Sequence, residues 1–474
     1  MEPTREQWYQ RRIAELETQL RQRDEHIAAL ERQVAQLAEK VAKLSKNSSN
    51  SSKPPSSDIT KPPKPPAPPG QGKRRIGGQP GHPLHERPPF GPEQIDTTRT
   101  YTLDRCPDCG GRLKRLEHER VIQQVEIVPE PVRITEHRAG SYRCTRCGKM
   151  HDALMPATVT KGGLIGPNLT ALVAYLKGMC HASFSTIRKF FRDVLQITIS
   201  RGQLAKLIRK ASSALAGPYQ ALLELLPTQS RLNVDETGHK ENGKGLWTWC
   251  FRAELYTLFK IDPSRGSDVL IDVLGTEFDG VLGCDYFSAY RKYMEDFSVA
   301  VQFCLAHLIR EVKFLLTLPD AVTRSYGQHL LNGLRKLFRV IHHRDRMTAQ
   351  QFQRALKRAS QKVLKVGRRA PPRTEAQNLA TRFRKHGDAY FRFITTPGLE
   401  PTNNLAEQAI RFVVIDRRIT QGTRSERGRQ WCERIWTVIA TLTQQGRSIL
   451  DYLRQAVHAY LTGQPIPALL PIKP

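Results

Sequence analysis

Three acidic residues stand where metal-assisted chemistry can be built. Asp235 follows Arg231-Leu232-Asn233-Val234; Leu232 and Val234 share one face of a period-2 pattern, Asn233 and Asp235 the other. Asp285 closes a second apolar run, Val281-Leu282-Gly283-Cys284. A carboxylate at a strand end is held rigidly enough to place a metal ion or serve as a base. Asp after a strand also commonly does no more than open a turn. Glu407 belongs to Glu400-Pro401-Thr402-Asn403-Asn404-Leu405-Ala406-Glu407, where Pro401 marks a helix start. Asn403, Glu407 and Arg411 are four apart and share one helix face. With Asn404 as N-cap, Glu407 reads equally well as the N3 acid of a capping box. Three carboxylates suit two Mg²⁺ ions, or Mn²⁺ in their place, because such ions take oxygen ligands and leave room for waters and phosphate oxygens. A pair of ions about 3.5–4 Å apart activates an attacking oxygen and stabilises a leaving one.

A second group carries sulfur. Cys106-Pro107-Asp108-Cys109-Gly110 and Cys144-Thr145-Arg146-Cys147-Gly148 are two Cys-x-x-Cys knuckles with 34 residues between them. Strand-like runs at 121–128 and 132–137 lie between, joined around Pro129-Glu130-Pro131. This is a zinc-ribbon layout, with Cys106, Cys109, Cys144 and Cys147 at one structural, tetrahedral Zn²⁺. Two redox-active pairs are the alternative, and His151 is surplus to a four-Cys site.

The elements that would position the acids follow from the same patterns. Beyond Asp235, aromatic and apolar runs at 245–251 and 255–259 complete a three-strand meander. A helix at 267–274 leads to the strand ending at Asp285. Another strand at 300–304 runs into a helix with His307, Arg310 and Lys313. That order describes a mixed α/β sheet of the ribonuclease H type, spanning 229–429, whose central strands bring Asp235 and Asp285 to one end. A helical insert at 317–395 precedes Glu407. From 321 to 395 it holds 18 Lys/Arg, Arg368 and Arg369 among them, against three acids, a net of +15. A solvated face would interleave both signs, so the bias favours phosphate contact. Arg411, Arg417 and Arg418 begin a further basic run beside the acids.

The flanking segments are simpler. Over 5–45, Ile13, Leu20, Ile27, Val34 and Val41 recur every seven residues, with Leu16, Leu30, Leu37 and Leu44 at the other seam position and Arg23 as the one break. β-branched residues at one position and Leu at the other favour a parallel two-stranded coiled coil, hence at least a dimer. A helix packed on its own protein is the alternative. Eight basic and eight acidic residues make residues 1–45 electrically neutral. Residues 46–97 read as a Pro-, Ser-, Gly- and Lys-rich linker, and 98–155 as the zinc ribbon. Residues 163–225 read as three helices with Ser185 and Ser200 as caps, either a helix-turn-helix-like DNA-binding segment or a plain connector. Helices over 430–474 close the chain.

With 474 residues there are several domains. The balance of 74 Lys+Arg against 45 Asp+Glu, a charge of +29, calls for a polyanionic partner, with nucleic acid the default. The lack of an 18-residue apolar run or a secretory start implies no membrane span and a cytoplasmic location.

Taken together the motifs resemble the transposases of the insertion-sequence-66 family of bacterial mobile elements. The resemblance spans nearly the whole chain. It rests on the zipper-like start, the Asn47–Asp58 run, Gly77-Gly78-Gln79-Pro80-Gly81-His82 and the four-Cys ribbon. It rests further on Val234-Asp235-Glu236-Thr237-Gly238, Asp285 with Tyr290, Cys304 with His307 and Arg310, and Pro401-Thr402-Asn403-Asn404 with Glu407. It implies an Asp-Asp-Glu enzyme with Asp235, Asp285 and Glu407 at the catalytic positions and Asn403, Asn404, His307 and Arg310 in support. It also implies double-stranded DNA as substrate, both element ends with terminal inverted repeats and target, in a nucleoid-associated bacterial setting, and helper proteins of the same element. Two rivals are a structure-selective nuclease on the same sheet and a dimeric zinc-ribbon regulator whose acids are structural.

Overall fold

The computed structural model describes residues 5–47, 50–51, 88–103, 105–112, 121–125, 127–128, 131–147 and 149–470. Most of the expected linker lies outside the described residues. The chain divides into two units, Pro63–Glu136 on the one hand and Met1–Pro62 with His137–Pro474 on the other. In the smaller unit the Gln123 amide accepts from the Phe90 N–H and donates to the Phe90 carbonyl. The strands expected at 121–128 and 132–137 are not formed among the described residues.

The larger unit opens with α1 (Arg5–Leu44). Its seam stays open along its length: Leu20 is 58%, Val34 65% and Leu37 60% exposed. Its last turns touch the rest of the unit, where Ala42 is buried and Glu39 pairs with Arg373 at 3.2 Å, and Lys46 just beyond it lies over the Phe314 ring. A two-strand hairpin follows, β1 (Ser141–Arg143) and β2 (Met150–Asp152).

Five helices come next: α2 (Ala157–Thr160), α3 (Pro167–Gly178), α4 (Phe184–Asp193), α5 (Arg201–Ala214) and α6 (Ala216–Glu224). Ser200 caps α5 as expected, but the cap of α4 is Ser183, whose hydroxyl accepts from Thr186 N; Ser185 already lies in the first turn. The expected helix-turn-helix pair is separated by the seven residues 194–200, and α5 buries Leu204, Leu207, Ile208 and Ala211.

The sheet has the order β5-β4-β3-β6-β7. β3 (Arg231–Glu241), β4 (Lys244–Arg252) and β5 (Thr257–Asp262) form the antiparallel meander. Asn242 and Gly243 turn the first hairpin at φ 48° and 83°, the left-handed pair that an Asn-Gly sequence supplies. α7 (Asp268–Leu274) leads to β6 (Val281–Cys284), and α8 (Ser288–Phe297) to β7 (Ala300–Phe303). β6 runs parallel to both β3 and β7.

Beyond α9 (Leu305–Leu315) the insert consists of α10 (Ala321–His342), α11 (Ala349–Gly367) and α12 (Thr374–His386), packed through Leu330, Leu334, Leu337, Val363 and Phe383. Asp320 caps α10, and Thr348 with Gln351 forms a capping box on α11. α13 (Asn404–Thr420), α14 (Glu426–Gln444) and α15 (Ile449–Thr462) complete the chain. α13 and α14 cover one sheet face, where Phe259 meets the Trp436 ring. α14 and α15 also pack on α3 and α5, so segments from the two ends of this region form one helical layer. Gly178 sits so close to the Ile435 side chain that a Cβ there would lie 2.4 Å from its Cγ1.

Candidate active site

Asp235 does not end its strand, as the sequence pattern suggested; β3 continues in antiparallel pairing with β4 to Glu241. The parallel ladder with β6 stops at Asn233↔Gly283, so Asp235 lies just past it, where the strands splay. The turn reading of Asp235 therefore fails. Alternation holds: Asp235 and Thr237 face α13, to which Thr237 is bound by Arg417 at 3.2 Å. Glu236 faces the opposite side, where Arg265 Nε and Nη2 donate to its Oε1 at 3.0 and 2.7 Å and the Tyr290 hydroxyl donates to its Oε2. The Arg265 guanidinium is itself sandwiched between the rings of Trp247 and Phe287.

Asp285 follows β6 and accepts from Phe287 N at 2.8 Å, a turn that launches α8. Glu407 reaches the same end of the sheet from the first turns of α13. The N-cap of that helix is Asn403, not Asn404, and the Asn403 side chain makes no cap bond, so the capping-box reading of Glu407 also fails. His307, on α9, stands between the last two acids: its Nδ1 is 3.7 Å from Asp285 Oδ2 and its Nε2 3.0 Å from Glu407 Oε1. Arg310, one turn on, donates to Glu407 Oε2 at 3.3 Å. The His307 contact is close but poorly directed, and Glu407 Oε1 and His307 Nδ1 remain buried without a hydrogen-bond partner among the described residues.

The electrostatics tie the three carboxylates together. Burial, then the charges of Glu236, Asp285 and Glu407, push Asp235 well above the usual carboxylate range. Burial and Asp285 also raise Glu236, against Tyr290 and Arg265. Glu407 is lowered, chiefly by His307 at its tip and further by Arg310, against the opposing effect of burial. Among the described residues no group of three or more His, Cys, Asp or Glu side chains is closed around a metal position. The expected supporting residues His307, Arg310 and Asn403 are all at the site; Asn404 is exposed at the start of α13. Sequence reasoning missed Asn233 and Arg265. Each acts through a partner distant in the chain, and neither lies in a local motif that marks it.

The basic residues sort by exposure. Arg368 and Arg369 are exposed at the end of α11, lining an open depression of about 320 Å³ with Gln361, Leu364 and Lys365. Arg411 and Arg418 are exposed, whereas Arg417 is half-buried on Thr237. Each cysteine knuckle is pinched by a short antiparallel pairing, Arg105↔Arg112 around the first and β1–β2 around the second. Backbone N–H groups of Asp108 and Cys109 lower the Cys106 thiol, and those of Cys147 and Arg146 lower Cys144, which favours the thiolate that binds metal.

A mixed sheet that gathers carboxylates at one end, in a basic chain with thiolate knuckles, defines a nucleic-acid-processing class of protein. Comparison narrows it. The family model described as "Transposase IS66 family" matches residues 162–431, more than half of the chain, and the chain belongs to that family. The model described as "zinc-finger binding domain of transposase IS66" matches 104–148, which makes the knuckle region a zinc-binding domain, and a family of unknown function matches 2–88. The uncharacterized protein y4qI of Sinorhizobium fredii is 24% identical over 409 residues, 77% of this chain and 73% of that protein. Another uncharacterized protein of that organism, y4hP, is 28% identical over 133 residues, 28% of this chain and 24% of that protein. Among the described residues no helix is long and apolar enough to cross a membrane.

Proposed function

We propose that the chain is an Asp-Asp-Glu transposase that cleaves DNA at the terminal inverted repeats of its element and joins the freed ends to a target, using Mg²⁺ on a ribonuclease H-like scaffold. The observation that carries this reading is the placement of His307 between Asp285 and Glu407, with Asp235 on the neighbouring parallel strand, its carboxyl raised first by burial and then by Glu236, Asp285 and Glu407. A sheet of three antiparallel strands continued by two parallel ones supports the scaffold. The donor set fits the metal. It is rich in carboxylate oxygen, Glu407 Oε1 has no well-directed hydrogen bond among the described residues although His307 Nε2 is 3.0 Å away, and burial, with repulsion from its neighbours, makes Asp235 costly to ionise unless a cation is near. When bound, two such ions supply an activated attacking oxygen and a stabilised leaving oxygen.

The chain's own residues hold that geometry. Asp235, Asp285 and Glu407 carry the ions, and His307 and Arg310 fix the plane of the Glu407 carboxylate. Arg411 and Arg418 flank the scissile strand, and Arg368 and Arg369 bind phosphates further along the duplex. Cys106, Cys109, Cys144 and Cys147 hold one structural zinc. α1 joins two copies, its open seam covered by a second α1. The enzyme works in the bacterial cytoplasm with helper proteins of its element.

Asp235→Asn, Asp285→Asn and Glu407→Gln keep shape and remove charge. On a duplex carrying the element's ends with Mg²⁺, each should lower the rate of strand cleavage at least 1,000-fold, on the order expected for groups that act as a unit. DNA affinity should stay within about threefold, since phosphate contacts elsewhere dominate it. Glu236→Gln, on the opposite face, should slow cleavage far less. Cleavage by Glu407→Gln at the native rate would remove it from the site, and cleavage without joining would favour a nuclease.

A further inference from the structure

Asn403 occupies the N-cap of α13, where an Asn side chain ordinarily accepts from the N2 or N3 backbone N–H. Here the side chain is turned away from its helix. Its Nδ2 donates to the Val234 carbonyl at 2.8 Å, and its Oδ1 accepts from Asn233 Nδ2 at 2.9 Å. Its backbone N–H donates to Cys304 Sγ at 3.1 Å, and the neighbouring Pro401 carbonyl accepts from Leu305 N at 3.0 Å. Asn403 is 2% exposed. One residue thus fastens the entry of α13 to β3 and to the end of β7.

Gly283, opposite Asn233 in the register of β6 and β3, completes the arrangement. A Cβ at Gly283 would lie 2.5 Å from Asn233 Nδ2, so any side chain there must displace the amide that reaches Asn403. The Asn403 carbonyl also accepts from Glu407 N at 3.2 Å, as the first rung of the helix. Whatever sets Asn403 therefore sets the backbone of Glu407.

We propose that Asn233, Asn403 and Gly283 form a clasp that fixes where Glu407 stands against Asp235; they are positioning residues for strand cleavage. The inference rests on the reading of Asp235, Asp285 and Glu407 as the metal-binding acids. It explains why a helix gives up its own cap, and why a strand inside a tight sheet carries glycine at that point.

The test uses the full chain and four variants: Asn233→Ala, Gly283→Ala, the double Asn233→Ala with Gly283→Ala, and Glu407→Gln. Asn233 is only half-buried, which avoids the folding risk of replacing Asn403, and melting temperature is recorded for each. Three quantities are read: single-turnover cleavage, the DNA dissociation constant, and Mn²⁺ binding without DNA by calorimetry. Asn233→Ala and Gly283→Ala should each weaken Mn²⁺ binding and slow cleavage about 10–100-fold, the range for residues that orient metal ligands, with DNA affinity unchanged. Because Gly283 acts through Asn233, the double should match Asn233→Ala within about twofold instead of multiplying the two losses. Losses that multiply, or native Mn²⁺ binding in Asn233→Ala, overturn the clasp. If Glu407→Gln itself keeps Mn²⁺ binding and cleavage, the reading of the acids fails instead.

Discussion

Glu433 shows how this fold spends stability on a buried charge. Burial pushes its carboxyl up to about 7, although the Ile261 N–H at 2.7 Å favours the ionised form. The folded chain then binds the proton more tightly than the unfolded one, whose value is 4.5. Stability falls as pH rises from 4.5 and levels off above 7. Glu433→Gln keeps an acceptor for Ile261 and removes the charge. It should match the native chain near pH 4 and exceed it above pH 7 by on the order of 1–3 kcal/mol. Thermal melts between pH 4 and 8 check this, and a gain that does not vary with pH refutes it. At this scale Asp285 and Glu407 stand out because each sits at a change of pattern, strand to turn or loop to helix, whereas β3 runs on past Asp235. Asn233 does not stand out. Its partner is 170 residues away and its meaning lies in one amide pair. Asn404 was preferred to Asn403 as cap because spacing to an acid is visible in a sequence, whereas a side chain diverted to a distant carbonyl is not.

Among the elements, the insert formed by α10, α11 and α12 packs on α9 and through Tyr390 on β7, but Arg368 and Arg369 lie on its exposed side, so charge changes there need not disturb the sheet. Reversing Arg368 and Arg369 to Glu should weaken binding to every DNA sequence. It should also flatten the dependence of log K on log salt by about 0.9 for each phosphate that is no longer neutralised. An unchanged slope would place these side chains in solvent. In the zinc-binding domain, freshly reduced protein should carry one zinc per chain by elemental analysis, and Cys106→Ser or Cys147→Ser should lose it. Retention of zinc in both variants would break the four-thiolate assignment. Element type was readable wherever period and turn chemistry agreed, as at Asn242-Gly243 between β3 and β4. It failed at 121–128 and 132–137, where alternation suggests strands but the described residues form none. The end of β3 was misjudged because polar residues past Asp235, such as His239, are buried against Thr423 and Trp436 by a helix that arrives much later.

At the scale of the whole molecule, α1 leaves nearly all of its described seam exposed, while its end meets Arg373 of the insert and the residues just past it meet Phe314 of α9. An apolar stripe on a 40-residue helix is about 60 Å of surface that a second helix would bury. Removing residues 1–46 should lower the mass measured by light scattering while the melting temperature of the remainder changes by only a few degrees. An unchanged mass would mean that copies associate elsewhere. That α1 is one long helix was legible from its seven-residue repeat. The joining of α3 and α5 with α14 and α15 was not, since nothing local says that two helical segments more than 200 residues apart share one core.

That shared core has a consequence for damaged copies of the gene. The helices before the sheet cannot complete the burial of their apolar faces until those beyond residue 426 leave the ribosome, and Glu407 arrives only shortly before them. A frameshift or stop anywhere upstream yields a chain with an unsealed helical layer, prone to aggregation and proteolysis. Decay of the reading frame should therefore silence the protein outright and leave no residual cutting fragment in the cell.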